Sequence, residues 1–111
     1  NQSFDFIINI SEDGWFGDSI GPHQHFSHSI FRSIEEGKNL IRSTNSGISA
    51  HVNPKGQVVS KIKSTERGVL EIKKFKKIKK TIFNKYGNNI FFCFLFFYIT
   101  LIFFLKKKEN K

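Results

Sequence analysis

Ile90 to Leu105 (IFFCFLFFYITLIFFL) carries no charge, has only Tyr98 and Thr100 as polar side chains, and is bracketed by lysines on both sides. A run of this kind does not share a water-soluble core with the remainder of a 111-residue chain. As a helix it would reach about 24 Å, short of the roughly 30 Å hydrocarbon core of a bilayer. Asn88, Asn89 and the stems of Lys106 to Lys108 make up the difference by snorkelling. A buried helix of a soluble protein is the alternative. The lysine clamp and the succession of phenylalanines favour a transmembrane helix over residues 90–105, with a basic tail over 106–111.

That segment also governs how the charge is read. The formal charge of +9 would by itself suit nucleic acid or an anionic membrane surface. The lysines crowd into Lys73 to Lys85 and Lys106 to Lys111, on either flank of the apolar run, so membrane lipid is the expected partner and nucleic acid is not. Cys93 is the only cysteine and lies inside the run, which leaves no intrachain disulfide and no thiolate nucleophile. The chain has no methionine and starts at Asn1, with no charged and apolar leader before Phe4. It is therefore expected to be a fragment or a processed chain, with any export signal upstream.

Residues 1–72 read as one partial domain. Phe4 to Ile10 (FDFIINI) has the composition of a buried strand, and the Gly-rich, acidic stretch Ser11 to Gly21 follows as a loop. Phe26, Ile30, Phe31 and Ile34 recur at helical spacing, predicting an amphipathic helix of about three turns that ends near Gly37. Short strands are predicted over Asn39–Arg42, Gly47–Val52, Gln57–Ile62 and Val69–Ile72, the middle pair forming a hairpin through Asn53-Pro54-Lys55-Gly56. This is half of a layered α/β domain, and one helix does not close such a core. Residues 73–89 admit two readings. Phe75, Ile78, Ile82 and Tyr86 fall at helical spacing among lysines, as in a basic interfacial helix, and a solvated linker fits equally well.

Loops that leave the end of a buried strand are where α/β folds place chemistry. His23, His25 and His28 have an H-x-H-x2-H spacing, but His23 and His25 fall in a loop beside Pro22 and no cysteine or well-spaced carboxylate completes a tetrahedron, so no metal is expected. Asp18, Ser27 and His25 assemble a Ser-His-Asp set on paper, without a nucleophile elbow to support it. Trp15 and Phe16 are two large aromatics in a Gly-rich loop, either packed against the domain or forming the wall of an apolar pocket suited to acyl chains.

The string N-I-S-E-D-G-W-F-G-D-S-I-G-P-H-Q-H-F, then R-S-I-E-E-G-K-N-L-I-R-S-T-N-S-G-I-S-A, then P-K-G-Q-V-V, resembles the end of the carbon-nitrogen hydrolase (nitrilase) domain as it occurs in apolipoprotein N-acyltransferases. The likeness covers about Phe4 to Leu70, and that family's last membrane helix falls where Ile90 to Leu105 lies. Gly14 stands where the family usually has Ala, and residues 81–89 keep the outline of its linker without the Pro or the Trp. The fold implied is α/β, the C-terminal part of a nitrilase-like α-β-β-α sandwich followed by one transmembrane helix.

The resemblance implies a Glu-Lys-Cys site in which a cysteine takes an acyl group from a phospholipid donor and passes it to the N-terminal diacylglyceryl-cysteine of an apolipoprotein acceptor, without a cofactor. All three catalytic positions belong upstream of Asn1 in the family pattern, so none is assigned to this chain and the chain alone is expected to be inactive. Trp15 and Phe16 are the implied substrate-binding residues, with His25, Arg42 and Asn45 supporting the site. The implied location is the bacterial inner membrane, with the domain in the periplasm and the C-terminus in the cytoplasm. The positive-inside rule agrees with this at the tail and opposes it at Lys73 to Lys85, a conflict that earlier helices fixing the orientation would resolve. Two rivals stand beside this reading: a soluble amide-hydrolysing member of the superfamily, and a non-enzymatic, membrane-anchored basic protein.

Overall fold

The computed structural model describes residues 3–111. Its elements are β1 (Phe6–Glu12), a single 3₁₀ turn (Gly14–Phe16), α1 (Gly21–Glu36), β2 (Asn39–Asn45), β3 (Ser49–Val52), β4 (Val58–Ile62), α2 (Ile82–Tyr86) and α3 (Asn89–Glu109). The strands form one mixed sheet in the order β1-β2-β3-β4. β1 and β2 are parallel, joined by the crossover through α1, with Ile7 opposite Leu40 and Asn9 opposite Arg42. β2, β3 and β4 then run antiparallel, with a bulge between His51 and Val52.

The β3–β4 hairpin forms where Asn53-Pro54-Lys55-Gly56 predicts it. Asn53 Oδ1 accepts from the amides of Lys55 and Gln57, and the Gly56 amide closes on the Asn53 carbonyl at 2.9 Å. Gly56 takes a positive φ of 78°, a conformation that costs a residue with a Cβ.

β1 departs from the buried strand expected of it. It lies at the sheet edge, and its burial alternates. Ile7, Asn9 and Ser11 face α1, whereas Phe6, Ile8 and Ile10 point to the opposite side, where Ile10 is 82% exposed. An Ile- and Phe-rich composition cannot distinguish a strand covered on both faces from one covered on a single face.

α1 starts five residues before the predicted Phe26, because Pro22 sits in its first turn, where a missing N–H costs nothing. His23 and His25 are therefore helical, not in a loop. Gly37, in the left-handed conformation, ends the helix as expected, its amide bonding back to Ile34 and Ser33. The buried stripe is Pro22, Phe26, Ser29 and Ser33, while Phe31 and Ile34 remain exposed. Serines replace apolar residues there because this face meets polar partners: Ser33 Oγ lies 2.6 Å from the Lys38 carbonyl and 2.8 Å from that of Asn53. The core between helix and sheet is small, comprising Phe26, Leu40, Ile48, Ala50 and Val52 with Ile7 and Ile30 against it.

No strand forms over Val69–Ile72, and residues 67–80 contain no regular element. They cross the other sheet face as an extended strap. The Phe75 ring stacks on Phe6 at 5.3 Å and meets His51 edge-on at 5.9 Å, and Asn39 Nδ2 donates to the Lys76 carbonyl at 2.6 Å. Of the two readings for residues 73–89, a continuous interfacial helix is absent. The linker alternative is also incomplete, since the segment docks on the sheet and α2 forms at its end, capped by Thr81 Oγ1 accepting from the Asn84 amide.

α3 is longer than the apolar run that announces it. Its 21 residues give about 31 Å of helix, enough to cross the hydrocarbon core. Lys106 to Lys108, expected in a tail, form its last turn, where cations complement the helix dipole. Thr100 satisfies its hydroxyl by donating to the Phe96 carbonyl at 2.8 Å.

Candidate functional site

The parallel pairing of β1 and β2 brings the carboxyl ends of both strands to one end of the sheet, the position at which α/β sheets carry their ligands. β2 presents Leu40, Arg42 and Thr44 towards α1. A guanidinium in that line is fully buried and needs a partner, since an unpaired charge there would cost several kcal/mol. The partner is Asp13, the first residue after β1, whose Oδ2 lies 2.8 Å from Arg42 NH2.

Arg42 Nε and NH1 are partnered as well. Nε donates to the Ile48 carbonyl at 3.2 Å, and NH1 donates to Ser29 Oγ at 2.8 Å and to Asn9 Oδ1. Asp13 Oδ1 accepts from Ser11 Oγ and from His25 Nδ1, each at 2.8 Å. Burial raises the Asp13 pKa, but the bonds from His25 and Ser11 and the charge and bond of Arg42 outweigh it, so the carboxyl is held below its ordinary 3.8. Gly47 completes the enclosure, because a Cβ there would overlap the Asp13 carboxylate.

An ionised Asp13 fixes the His25 tautomer. Nδ1 carries the proton and donates to Oδ1, so the 3.4 Å approach of Arg42 NH2 to the same nitrogen sets donor against donor and is not a hydrogen bond. Nε2 is left as the accepting nitrogen, with no hydrogen-bond partner among the described residues, on a ring that is part-exposed and 5.9 Å from that of Phe16. The arrangement can orient a hydrogen bond or receive a proton at Nε2. The paper set of Asp18, Ser27 and His25 does not assemble: Asp13 is the carboxylate on His25, and Ser27 Oγ donates to the His23 carbonyl.

Asn45 is placed at the other side of the loop. Its Nδ2 donates to Glu12 Oε2 at 2.7 Å, while Glu12 Oε1 accepts the Gly14 amide at 2.7 Å and the Asp13 amide bonds to the Asn45 carbonyl. Glu12 thus clips the start of the Trp15–Phe16 turn to the end of β2. Phe16 rests on Gly21 at the start of α1 and is 39% exposed, whereas Trp15 is 85% exposed and, among the described residues, has only the Phe16 ring as an aromatic neighbour, edge-on. The chain encloses neither ring. Beside them, Asp13, Gly14, Gly17, Asp18, Pro22 and Ser46 line a cavity of about 340 Å³.

Asp13 is the member that the sequence reading passed over. Its signal was indirect: an inward arginine on a strand requires a carboxylate, and Asp13 opens the loop beside it. His23 and His28 remain exposed on α1, and among the described residues no three His, Cys, Asp or Glu side chains converge as metal ligands would.

The carbon-nitrogen hydrolase family model matches residues 1–73. The chain is similar to apolipoprotein N-acyltransferase of Wigglesworthia glossinidia brevipalpis, 42% identical over 94% of this chain and 21% of that protein. It is also similar to those of Rickettsia bellii (38%, over 97% and 22%) and Haemophilus ducreyi (34%, over 99% and 22%). The chain thus spans about a fifth of the length of these relatives.

Proposed function

This chain belongs to the carbon-nitrogen hydrolase family, and from that premise we propose that it supplies the C-terminal part of a membrane N-acyltransferase. The reaction is transfer of a fatty acyl group from a phospholipid to the N-terminal diacylglyceryl-cysteine of an apolipoprotein, a step of lipoprotein maturation. The observation that carries this reading is the extent of the similarity, which runs through the α/β residues and on into the apolar helix, over 94–99% of the chain, in relatives named for that activity. An amide hydrolase without a membrane segment would account for residues 1–73 and leave α3 unexplained.

In this reading the Glu, Lys and Cys that perform the chemistry lie on an upstream part of the protein. Trp15 and Phe16 contribute an apolar surface for the acyl chain, which accounts for a tryptophan held in an ordered turn with most of its ring uncovered. Arg42, His25 and Asn45 act as positioning residues: Arg42 and His25 hold Asp13 at the base of the turn, and Asn45 holds Glu12. α3 spans the bacterial inner membrane with the α/β residues in the periplasm and Lys106 to Lys111 in the cytoplasm.

The test is acyl transfer from a phospholipid with an alkyne-tagged acyl chain to a diacylglyceryl-cysteine peptide, using a protein that carries the upstream Glu, Lys and Cys. Replacing Trp15 and Phe16 together by Ala should slow transfer more than it lowers the melting temperature, through lost positioning of the acyl chain. A variant that melts early yet turns over normally when folded would make both rings packing residues. The 111-residue chain should form no thioester, because Cys93 sits in the apolar helix. Orientation is read separately, by a membrane-impermeant thiol reagent on cysteines placed at Ser64 and Asn110 in cells with a permeabilised outer membrane. Labelling at 110 and not at 64 would reverse the orientation.

A further inference from the structure

Six of the eight residues 73–80 are lysines: Lys73, Lys74, Lys76, Lys77, Lys79 and Lys80. We propose that this strap is a headgroup-binding platform that holds the sheet against an anionic bilayer surface by charge alone, without inserting. The inference rests on α3 being embedded in a membrane, as in the function proposed above.

Conformation is the first ground. An interfacial helix would need Phe75, Ile78, Ile82 and Tyr86 on one face in contact with lipid. Here residues 73–80 are extended, and their two apolar side chains are already engaged by the protein. Phe75 stacks on Phe6 and abuts His51, while Ile78 and Thr81 crowd Gly37 at the end of α1. The strap is held at its middle by Asn39 Nδ2 donating to the Lys76 carbonyl and just past its end by Thr81 Oγ1 donating to the Glu35 carbonyl, and Asn84 Nδ2 adds a bond to Glu36. With Phe75 stacked on the sheet and Ile78 against the end of α1, the six ammonium groups are the most exposed groups the strap offers a partner.

Five of those six groups have no ion-pair partner among the described residues. All six lysines are exposed, and among the described residues the only ion pair on the strap is Lys73 with Glu71, at 3.6 Å between two exposed side chains. The acidic side chains of neighbouring α1 are otherwise occupied, Glu35 with Arg32 and Glu36 with Asn84.

Placement is the second ground. From Lys80 the chain passes through the five residues of α2 and enters α3 at Asn89, a path of about 24 Å at most. A helix embedded at Asn89 therefore keeps the strap close to the headgroup layer, where a basic segment is attracted to anionic lipid within a Debye length of about 10 Å. Because the strap is pinned to the sheet, the attraction also fixes which way the domain leans on the membrane.

The experiment uses the chain in nanodiscs of phosphatidylcholine alone or with about one third phosphatidylglycerol, probed by a water-soluble amine-acetylating reagent and read by mass spectrometry. Lys55, exposed in the hairpin turn, is the internal reference, and exclusion of an aqueous maleimide from Cys93 reports that α3 is embedded. Acetylation at the six strap lysines should fall about fivefold in the anionic discs relative to Lys55, and 0.5 M salt should restore it. Equal acetylation in both lipids with Cys93 protected would overturn the platform and leave the membrane span standing. Protection that is the same in both lipids and indifferent to salt would mean insertion and would also overturn it. Cys93 reactive in the discs would sink the span and the platform together. Equal protection by a short DNA duplex added to phosphatidylcholine discs would reassign the strap to nucleic acid.

Discussion

The two faces of the sheet are closed by different means. On one, α1 covers a small apolar core and a buried Asp13–Arg42 pair in which every side-chain nitrogen and oxygen has a partner. On the other, an extended strap touches the sheet chiefly through Phe75, and Ile8 and Ile10 stay bare. The first face fixes the geometry of a loop at the carboxyl end of the strands. Among the described residues the second face is held by a few ring contacts and one hydrogen bond. The difference teaches that buried polar bonding is concentrated where side chains must be held in register, and that the face without it is covered more thinly.

The most severe way to break the first face is Arg42→Ala, which leaves Asp13 buried without its cation and should destabilise the domain by about 3–5 kcal/mol in chemical denaturation. The pair also predicts an acid limb. Asp13 has a folded pKa below 3.8, so its contribution is present above that value and is lost as pH falls through the lower folded pKa. Asp13→Asn should remove this part of the acid limb. Gly47→Ala forces a methyl into the Asp13 carboxylate and should cost about 1–3 kcal/mol in the same assay.

Breaking the second face should cost less. Phe75→Ala removes a half-exposed ring and its stack on Phe6, worth about 1–2 kcal/mol. Its clearer readout is faster tryptic cleavage after Lys73 to Lys80 as the strap detaches. A gentler perturbation is pH. Burial holds the His51 pKa below 6.5, so as pH falls from 6.5 towards the folded value the unfolded chain takes up a proton that the folded chain refuses, and stability declines. His51→Gln should flatten that slope in melts between pH 7 and 5. The smallest effect on stability belongs to Trp15→Ala, within about 0.5 kcal/mol because the ring is mostly in water.

The features legible in the sequence were those with one physical interpretation. Asn-Pro-Lys-Gly between two short β-type runs means a hairpin, and sixteen uncharged residues clamped by lysines mean a long apolar helix. Features with two interpretations are decided only by the fold. Pro22 marks a turn or a first helical turn, and the second applies, which moves His23 and His25 onto α1. Phe31 and Ile34 sit at helical spacing, yet Ser29 and Ser33 take the buried stripe because the facing side chains are Arg42 and the hairpin carbonyls. Phe75, Ile78, Ile82 and Tyr86 have the period of a helix, although Phe75, on the sheet, and Ile78, against the end of α1, lie in chain without regular structure. At the candidate site, His25, Arg42 and Asn45 were named from the resemblance, and Asp13 was missed because only the fold shows that an inward arginine lies within reach of it.

The exposed edge of β1 also bears on how the chain is made. Seven residues, FIINISE, run along the sheet boundary without a proline or lysine to discourage pairing, and no strand lies on their outer side among the described residues. Such an edge templates any extended segment that reaches it, including β1 of another copy. Yield should therefore depend on expression rate, with slow synthesis at low temperature favouring dispersed protein and strong induction favouring inclusion bodies rich in cross-β structure.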